Sequence, residues 1–250
     1  LRGENNYENQ GCNAGTNYSV ITPLHIPEIV DEATSAINSC IRTLSNGAEH
    51  SGINSLCHVV GELHDNIWSH GMSSGFSMAQ KSKVPHHDDN YFEFAIADHG
   101  LGFLAEMNRK GMNAQSHKEA IEWCIQEGHS TKHSDDKDDW AQSVPADVTG
   151  GSPFGGNVQT FSDTNHHQGL GLAHLIKLVE KYQGTLILIT GDTCLNINKK
   201  GEKSFAILDN EWKGVAISCR FKESVLCSDM EDDTVDNELQ QIIEQLGGLN

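Results

Sequence analysis

Glu62, Asn66 and His70 stand four residues apart in the stretch GELHDNIWSHG, residues 61–71. A helix turns about 100° per residue, so the three form one drifting stripe. The apolar residues Val59 and Leu63 flank it. A polar stripe beside an apolar face is costly unless it meets water, a ligand or a partner. Glu62 has the chemistry of a general base. Asn66 offers a neutral carbonyl oxygen, a hard ligand of the kind Mg²⁺ takes beside phosphates and waters. The same spacing suits a solvated helix face with a structural histidine, and on spacing alone that plainer reading leads.

Two glycine-bearing stretches follow. ADHGLGF, residues 97–103, comes directly after a strand pattern. Asp98 can accept a hydrogen bond there, and Gly100 and Gly102 let the backbone approach a flat ligand. A plain turn reads equally well. HHQGLGLAHLIKL, residues 166–178, puts Gly169 and Gly171 where a helix starts. Open N–H groups and the helix dipole at such a start favour phosphate. The segment lacks both the G-x-x-x-x-G-K-[ST] and the G-x-G-x-x-G pattern, so neither a P-loop nor a dinucleotide fingerprint is indicated.

These groups need elements to hold them. Ile29, Val30, Ala33, Ile37, Ile41 and Leu44 recur at helical spacing after Pro27, and Asn46-Gly47 ends the pattern. A second helix is expected over about 55–69, with Leu56, Val59, Val60, Leu63 and Ile67 as its apolar side. Strands are expected near 75–81 and at 91–97, where Phe92, Phe94 and Ile96 alternate with Glu93 and Ala95. A polar hairpin loop joins them. A short helix at 118–126 follows. Residues 128–168 show no periodicity and are rich in Gly, Ser, Asp and His, as in a lid or a disordered insertion. Leu172, Leu175, Ile176 and Val179 mark a further helix, and strands are expected at 185–190, 204–208 and 215–221. Helices alternating with antiparallel strands predict a two-layer α/β sandwich, not a doubly wound parallel sheet.

The bulk properties bound the partners. A net charge of −18 argues against a general nucleic-acid surface, because phosphate contacts need Lys and Arg. Any phosphate ligand must then be held by a cation, by backbone N–H groups or by a few local basic residues. No run of 18 apolar residues occurs, so no membrane span is expected. Residues 1–20 are polar and rich in Asn and Gly, which suits a flexible arm and not a signal peptide. The chain begins at Leu1, as a fragment of a longer protein would. Seven scattered cysteines without C-x-x-C read as reduced cytoplasmic thiols. The acidic tail from Ser228 carries Leu239, Ile242, Ile243 and Leu246 at helical spacing, a short amphipathic helix able to dock on a partner or on this domain. His64, within the opening stretch, has no evident role and reads as solvated. His86-His87-Asp88-Asp89 reads as a solvated turn, and His129, His133, His166 and His167 lack a regular ligand spacing.

The order of these boxes is more specific than any one of them. E-x-x-x-N-x-x-x-H, a strand with D-x-G-x-G, a long loop, and G-x-G-L opening a helix resemble the GHKL ATPase superfamily. That superfamily comprises gyrase, the ninety-kilodalton heat-shock chaperone, histidine kinases and MutL. The resemblance spans about residues 55–221. It implies a Bergerat-type two-layer sandwich: a mixed, mostly antiparallel sheet, helices packed on one face, and an ATP lid at about 128–168. It implies that Glu62 activates the attacking water or hydroxyl and that Asn66 binds Mg²⁺. Asp98 matches the acceptor of the adenine amino group, with Gly100 and Gly102 beside it. Gly169, Leu170, Gly171 and Leu172 match the second glycine box around the phosphates. Ser130, Thr131 and Lys132 of GHSTK resemble the leading edge of the lid. Lys213-Gly214-Val215 resembles the segment closing the adenine pocket, with Val215 where many relatives carry Thr.

The domain implied is 23–227, between an arm at 1–22 and a tail at 228–250. Histidine kinases usually carry Asn where Glu62 stands, and the E-x-x-x-N-x-x-x-H-G form is similar to anti-sigma-factor serine kinases. The second glycine box and GTLILITGD are similar to sensor kinases. The resemblance thus implies a stand-alone, cytoplasmic, regulatory domain that binds ATP or ADP with Mg²⁺. It would hydrolyse ATP or pass the γ-phosphate to a protein Ser or Thr, less readily to His. The alternative is a non-catalytic ATP/ADP-gated switch controlling a protein partner. A protein partner or substrate is implied and a homodimer is compatible; nucleic acid and membrane are not expected as partners.

Overall fold

The computed structural model describes residues 17–25, 29–47, 50–67, 73–126 and 171–228. The expected lid, the segment 68–72 with His70, and the expected tail helix lie outside the described residues.

Two helices come early, α1 (Val30–Leu44) and α2 (Ser51–Asn66). In α1, Val30, Ala33, Ile37, Ile41 and Leu44 are buried, the stripe that period 3.6 produces. It stops where Asn46 and Gly47 take positive φ, 59° and 71°, a left-handed turn that ends a helix. α2 starts four residues before the expected 55. Its Gly52 lies under the Leu226 carbonyl and the Tyr182 ring, and the hydroxyls of Ser51 and Tyr182 are 2.9 Å apart. Tertiary packing therefore overrides the low helix propensity of Gly-containing SGIN.

The sheet holds β1 (Thr22–Leu24), β2 (Gly75–Lys83), β3 (Asn90–Asp98), β4 (Thr185–Ile197) and β5 (Lys203–Lys222), in the order β1-β2-β3-β5-β4. Every pairing among the described strands is antiparallel, which corrects the expectation of a mixed sheet. The pleat sorts the side chains. Phe92, Phe94 and Ile96 of β3, Ile217, Cys219 and Phe221 of β5, and Leu186 and Leu188 of β4 join the helices in one core. That core also takes Leu56, Val59, Val60 and Leu63 of α2, and Leu175, Ile176 and Val179 of α5 (Gly171–Lys181). Each such side chain contributes about 1.5–3 kcal/mol when fully buried. Among the described residues no element covers the other face. Phe76, Ala97, Ala216, Ile187 and Ile189 line an apolar groove there.

Three expectations need correction. Residues 17–22 are not a free arm: Ser19 donates to the Ala79 carbonyl at 2.8 Å, Lys81 donates to that of Asn17, and Thr22 pairs with Ser77. A strand edge of open N–H and C=O groups is a template for such pairing. The strands expected at 204–208 and 215–221 are one strand, β5. Its polar middle, DNEWK, breaks the alternation, and pairing with β4 is interrupted there: Gly191 faces Trp212, residues 208–211 bulge out without a partner on β4, and pairing resumes at Thr193 with Ile207. A helix, α3 (Gly102–Arg109), was not expected, because its first residue belongs to the D-x-G-x-G box. It precedes α4 (His117–Cys124), capped by Ser116, whose hydroxyl accepts from the Glu119 N–H at 3.1 Å. The short α6 (Glu223–Leu226) ends the described chain, and Glu223 takes hydrogen bonds from Lys81 and Asn90.

No helix among the described residues is long and apolar enough to cross a membrane. Cys40, Cys57, Cys124, Cys194 and Cys219 are free thiols. Burial pushes the thiols of Cys124 and Cys219 up to about 12, so both stay protonated and inert.

Candidate functional site

Glu62 lies in the last two turns of α2, 8% exposed. Its Oε2 accepts a hydrogen bond from His174 Nδ1 of α5 at 3.0 Å. A carboxylate only accepts, so the proton of that bond sits on Nδ1. On the other side, His58 Nε2 is 3.7 Å from Glu62 Oε1, one helical turn back. Gly171, the first residue of α5, explains how the two helices close on this group. A Cβ on Gly171 would lie 2.8 Å from the Glu62 Cβ and 3.5 Å from Oε2. Any side chain there would push α5 off α2.

Asn66 follows Glu62 by one turn on the same side of α2 and is its last residue, half-buried. The end of α2 sits beside the end of β3. A Cβ on Gly75 would be 2.8 Å from Ile67 Cδ1 and 3.4 Å from Asp98 Cα. Asp98 closes β3, and its Oδ1 accepts from the Gly100 N–H at 2.7 Å. The Val215 N–H also donates to this carboxylate. Burial raises the Asp98 pKa above the usual carboxylate range, and the N–H groups of Gly100 and Val215 offset part of that. The group is half-buried and has acceptor capacity left for a further donor.

A knot of backbone contacts fixes Asp98. Gly214 has φ +103°, and a Cβ there would meet the Asp98 carbonyl and lie 2.7 Å from its Oδ1. Gly102 has φ +73° and would meet Thr190 Oγ1 at 2.8 Å. Thr190, fully buried on β4, donates to the Gly214 carbonyl at 2.8 Å. Gly214 and Val215 therefore sit against Asp98, and Thr190, paired with Val215 across the strands, holds the Gly214 carbonyl in place. The sequence reading missed Thr190 because it is one of several β-branched residues in TLILIT.

Of the other expected residues, Gly100 and Gly102 lie at Asp98, and Gly171 lies at Glu62. Leu172 is buried in the core, so only its main chain is left for a ligand. Ser130, Thr131, Lys132, Gly169 and Leu170 lie outside the described residues. His64 is corrected: it is not solvated but fully buried, with Nδ1 2.8 Å from Thr34 Oγ1 and its ring 6.2 Å from that of Phe94. Burial lowers its pKa to about 4, so it is neutral at physiological pH. In the loop 86–89, Asp88 is exposed, while Asp89 accepts from the Ser224 hydroxyl at 2.7 Å and anchors α6. His58 and His174 were missed altogether. The available signal was His58-x-x-x-Glu62, one turn apart on a helix, and His174 one turn into the helix that Gly171 opens.

Comparison with known proteins finds no relative: no protein-family model matches the chain, and no curated protein or solved structure matches it.

Proposed function

We propose that this chain binds Mg²⁺–ATP in the manner of GHKL ATPases and that Glu62 promotes attack on the γ-phosphate. The observation that carries the reading is what the C-terminal end of α2 touches. Gly171 touches Glu62, Asn66 follows Glu62 by one turn, and Ile67 and Asp98 both flank Gly75. A base, a metal ligand, an adenine acceptor and a helix start thus succeed one another.

The residues present suit such a ligand. The raised pKa of Asp98 marks a carboxylate short of charge stabilisation, and an adenine amino group would supply a donor to it. The glycines at 102, 171 and 214 let the backbone pack directly on Thr190, Glu62 and Asp98, which fixes the two carboxylates the ligand would meet. Asn66 would hold Mg²⁺, which when bound supplies charge neutralisation at the phosphates. Glu62 takes the proton from the attacking water or protein hydroxyl, and His174 keeps the carboxylate aimed. With a chain charge of −18, phosphate recognition falls to Mg²⁺ and to the N–H groups at the start of α5. Residues 128–168 serve as the lid of a Bergerat-type sandwich in this reading, and the setting is cytoplasmic.

Glu62→Ala should keep nucleotide affinity and lower turnover by about a hundredfold or more, as loss of a general base does. Asn66→Ala should remove the Mg²⁺ dependence of binding. Radiolabelled γ-phosphate release or transfer measures both. Wild-type turnover by Glu62→Ala would sink the assignment of the base.

A further inference from the structure

Glu62 is held between two imidazoles, one at each oxygen. The proposed nucleotide chemistry uses His174 only to aim the carboxylate and does not use His58. His174 Nδ1 is 3.0 Å from Oε2, His58 Nε2 is 3.7 Å from Oε1, and the two rings lie 6.0 Å apart at 36°. One ligand atom from each of the three residues lies within 4.8 Å of the other two. No other group of three or more His, Cys, Asp or Glu among the described residues comes together in this way.

We propose that His58, Glu62 and His174 form a binding site for a transition-metal ion, Zn²⁺ being the best fit. Two neutral imidazoles and one carboxylate are a donor set that Zn²⁺ takes with a fourth position open to water or ligand. Imidazole selects against Mg²⁺ and Ca²⁺, so cellular Mg²⁺ does not compete effectively here. Metal–ligand bonds of about 2.0–2.1 Å in a tetrahedron put neighbouring donors roughly 3.3 Å apart. Glu62 and His174 are already at that spacing. His58 is the one that must move, and its side chain is 65% exposed, with room to turn.

The rest of the site is built. His58 and Glu62 are one turn apart on α2, so the helix itself sets their separation. Contact with Gly171 fixes the Glu62 stem. His174 is carried on α5 between Leu172, Leu175 and Ile176, all buried against α2 and the sheet. Besides the turn of His58, binding needs one tautomer change. The ring proton of His174 moves from Nδ1 to Nε2, and the freed Nδ1 lone pair turns from the hydrogen bond to the ion. The ion then occupies the carboxylate proposed as the base. The site would therefore act as an inhibitory metal switch on nucleotide turnover. That consequence rests on the proposed function; the metal site itself does not.

The chelator-stripped full chain, titrated with Zn²⁺ by calorimetry in millimolar Mg²⁺, tests the site. Co²⁺ titrated in the visible range reports ligand type. The expected result is one ion per chain displaced in His58→Ala and His174→Ala, each at least about ten-fold weaker. Cobalt d–d bands should be lost in the double variant, with unchanged circular dichroism. His58 is exposed, so its variant tests the site without disturbing the core. The His-rich segment 129–167 is the competing source of ligands. Zinc binding of equal affinity in the double variant, or no binding tighter than Mg²⁺, overturns the proposal. A second arm compares ATP turnover with and without Zn²⁺, each variant against its own zinc-free rate. Inhibition should be lost in His58→Ala, and inhibition persisting there contradicts the switch. A chain that binds zinc in the first arm but never turns over ATP overturns the switch and the proposed catalysis, and leaves the metal site standing.

Discussion

Asp98 shows how a single group can trade stability for binding. Its raised folded-state pKa means the folded chain holds that proton more tightly than the unfolded one. Ionised Asp98 therefore costs stability at neutral pH, and that cost is relieved as pH falls through the raised value toward 3.8. Asp98→Asn keeps an oxygen for the Gly100 and Val215 N–H groups and removes the charge. Its thermal midpoint should hold or rise, while ATP affinity falls at least about ten-fold through loss of a charge-assisted hydrogen bond. A lower midpoint with intact affinity would reverse the assignment. His64 works in the other direction. Its pKa drops from 6.5 to about 4 on folding, so the unfolded chain takes up the proton first as pH falls. Stability present above pH 6.5 is lost on the way down to 4, up to about 3 kcal/mol from this group. Urea unfolding at several pH values should show that slope in the wild type, and a flatter one in His64→Gln.

The contact of α5 on α2 sets the distance from Glu62 to whatever lies at the helix start. Gly171→Ala places a methyl group 2.8 Å from the Glu62 Cβ, so one helix must shift. Overpacking of this kind costs about 1–3 kcal/mol. Turnover should fall further than stability alone explains, because the carboxylate moves with the stem; unfolding midpoints and single-turnover rates separate the two. The elements themselves were unequally legible. α1 and α5 were readable because their buried stripes repeat at 3.6 residues. The start of α2 was not, since Gly52 is helical only because Tyr182 and Leu226 cover it. α3 was hidden behind glycines that read as a turn. β5 crosses DNEWK as a bulge with neither an apolar face nor a continuous ladder to β4, so the two paired ends read as separate strands. At the site, the glycine boxes stand out by spacing; His58 lies one turn from Glu62 on α2 but is one of many histidines in the sequence, and His174 and Thr190 reach the site only through the packing of α5 on α2 and of β4 on β5.

The whole molecule is strongly acidic, and that charge acts beyond any one pair. A net −18 means self-repulsion in the compact state, which salt screens. Raising ionic strength from low to physiological should raise the thermal midpoint by a few degrees, on the order of 1 kcal/mol in a chain of this size. A falling midpoint would show that attractive pairs, such as Arg220 with Glu93, dominate. The same charge repels a free nucleotide, so under the proposed function binding would depend on the cation that accompanies it. Calorimetric titration of the wild-type chain with ATP, with and without Mg²⁺ and with zinc removed, tests the central claim most directly. The account predicts one site per chain, tightened by Mg²⁺ and lost in Asp98→Asn. No binding at millimolar Mg²⁺–ATP, or equal binding by Asp98→Asn, would contradict it.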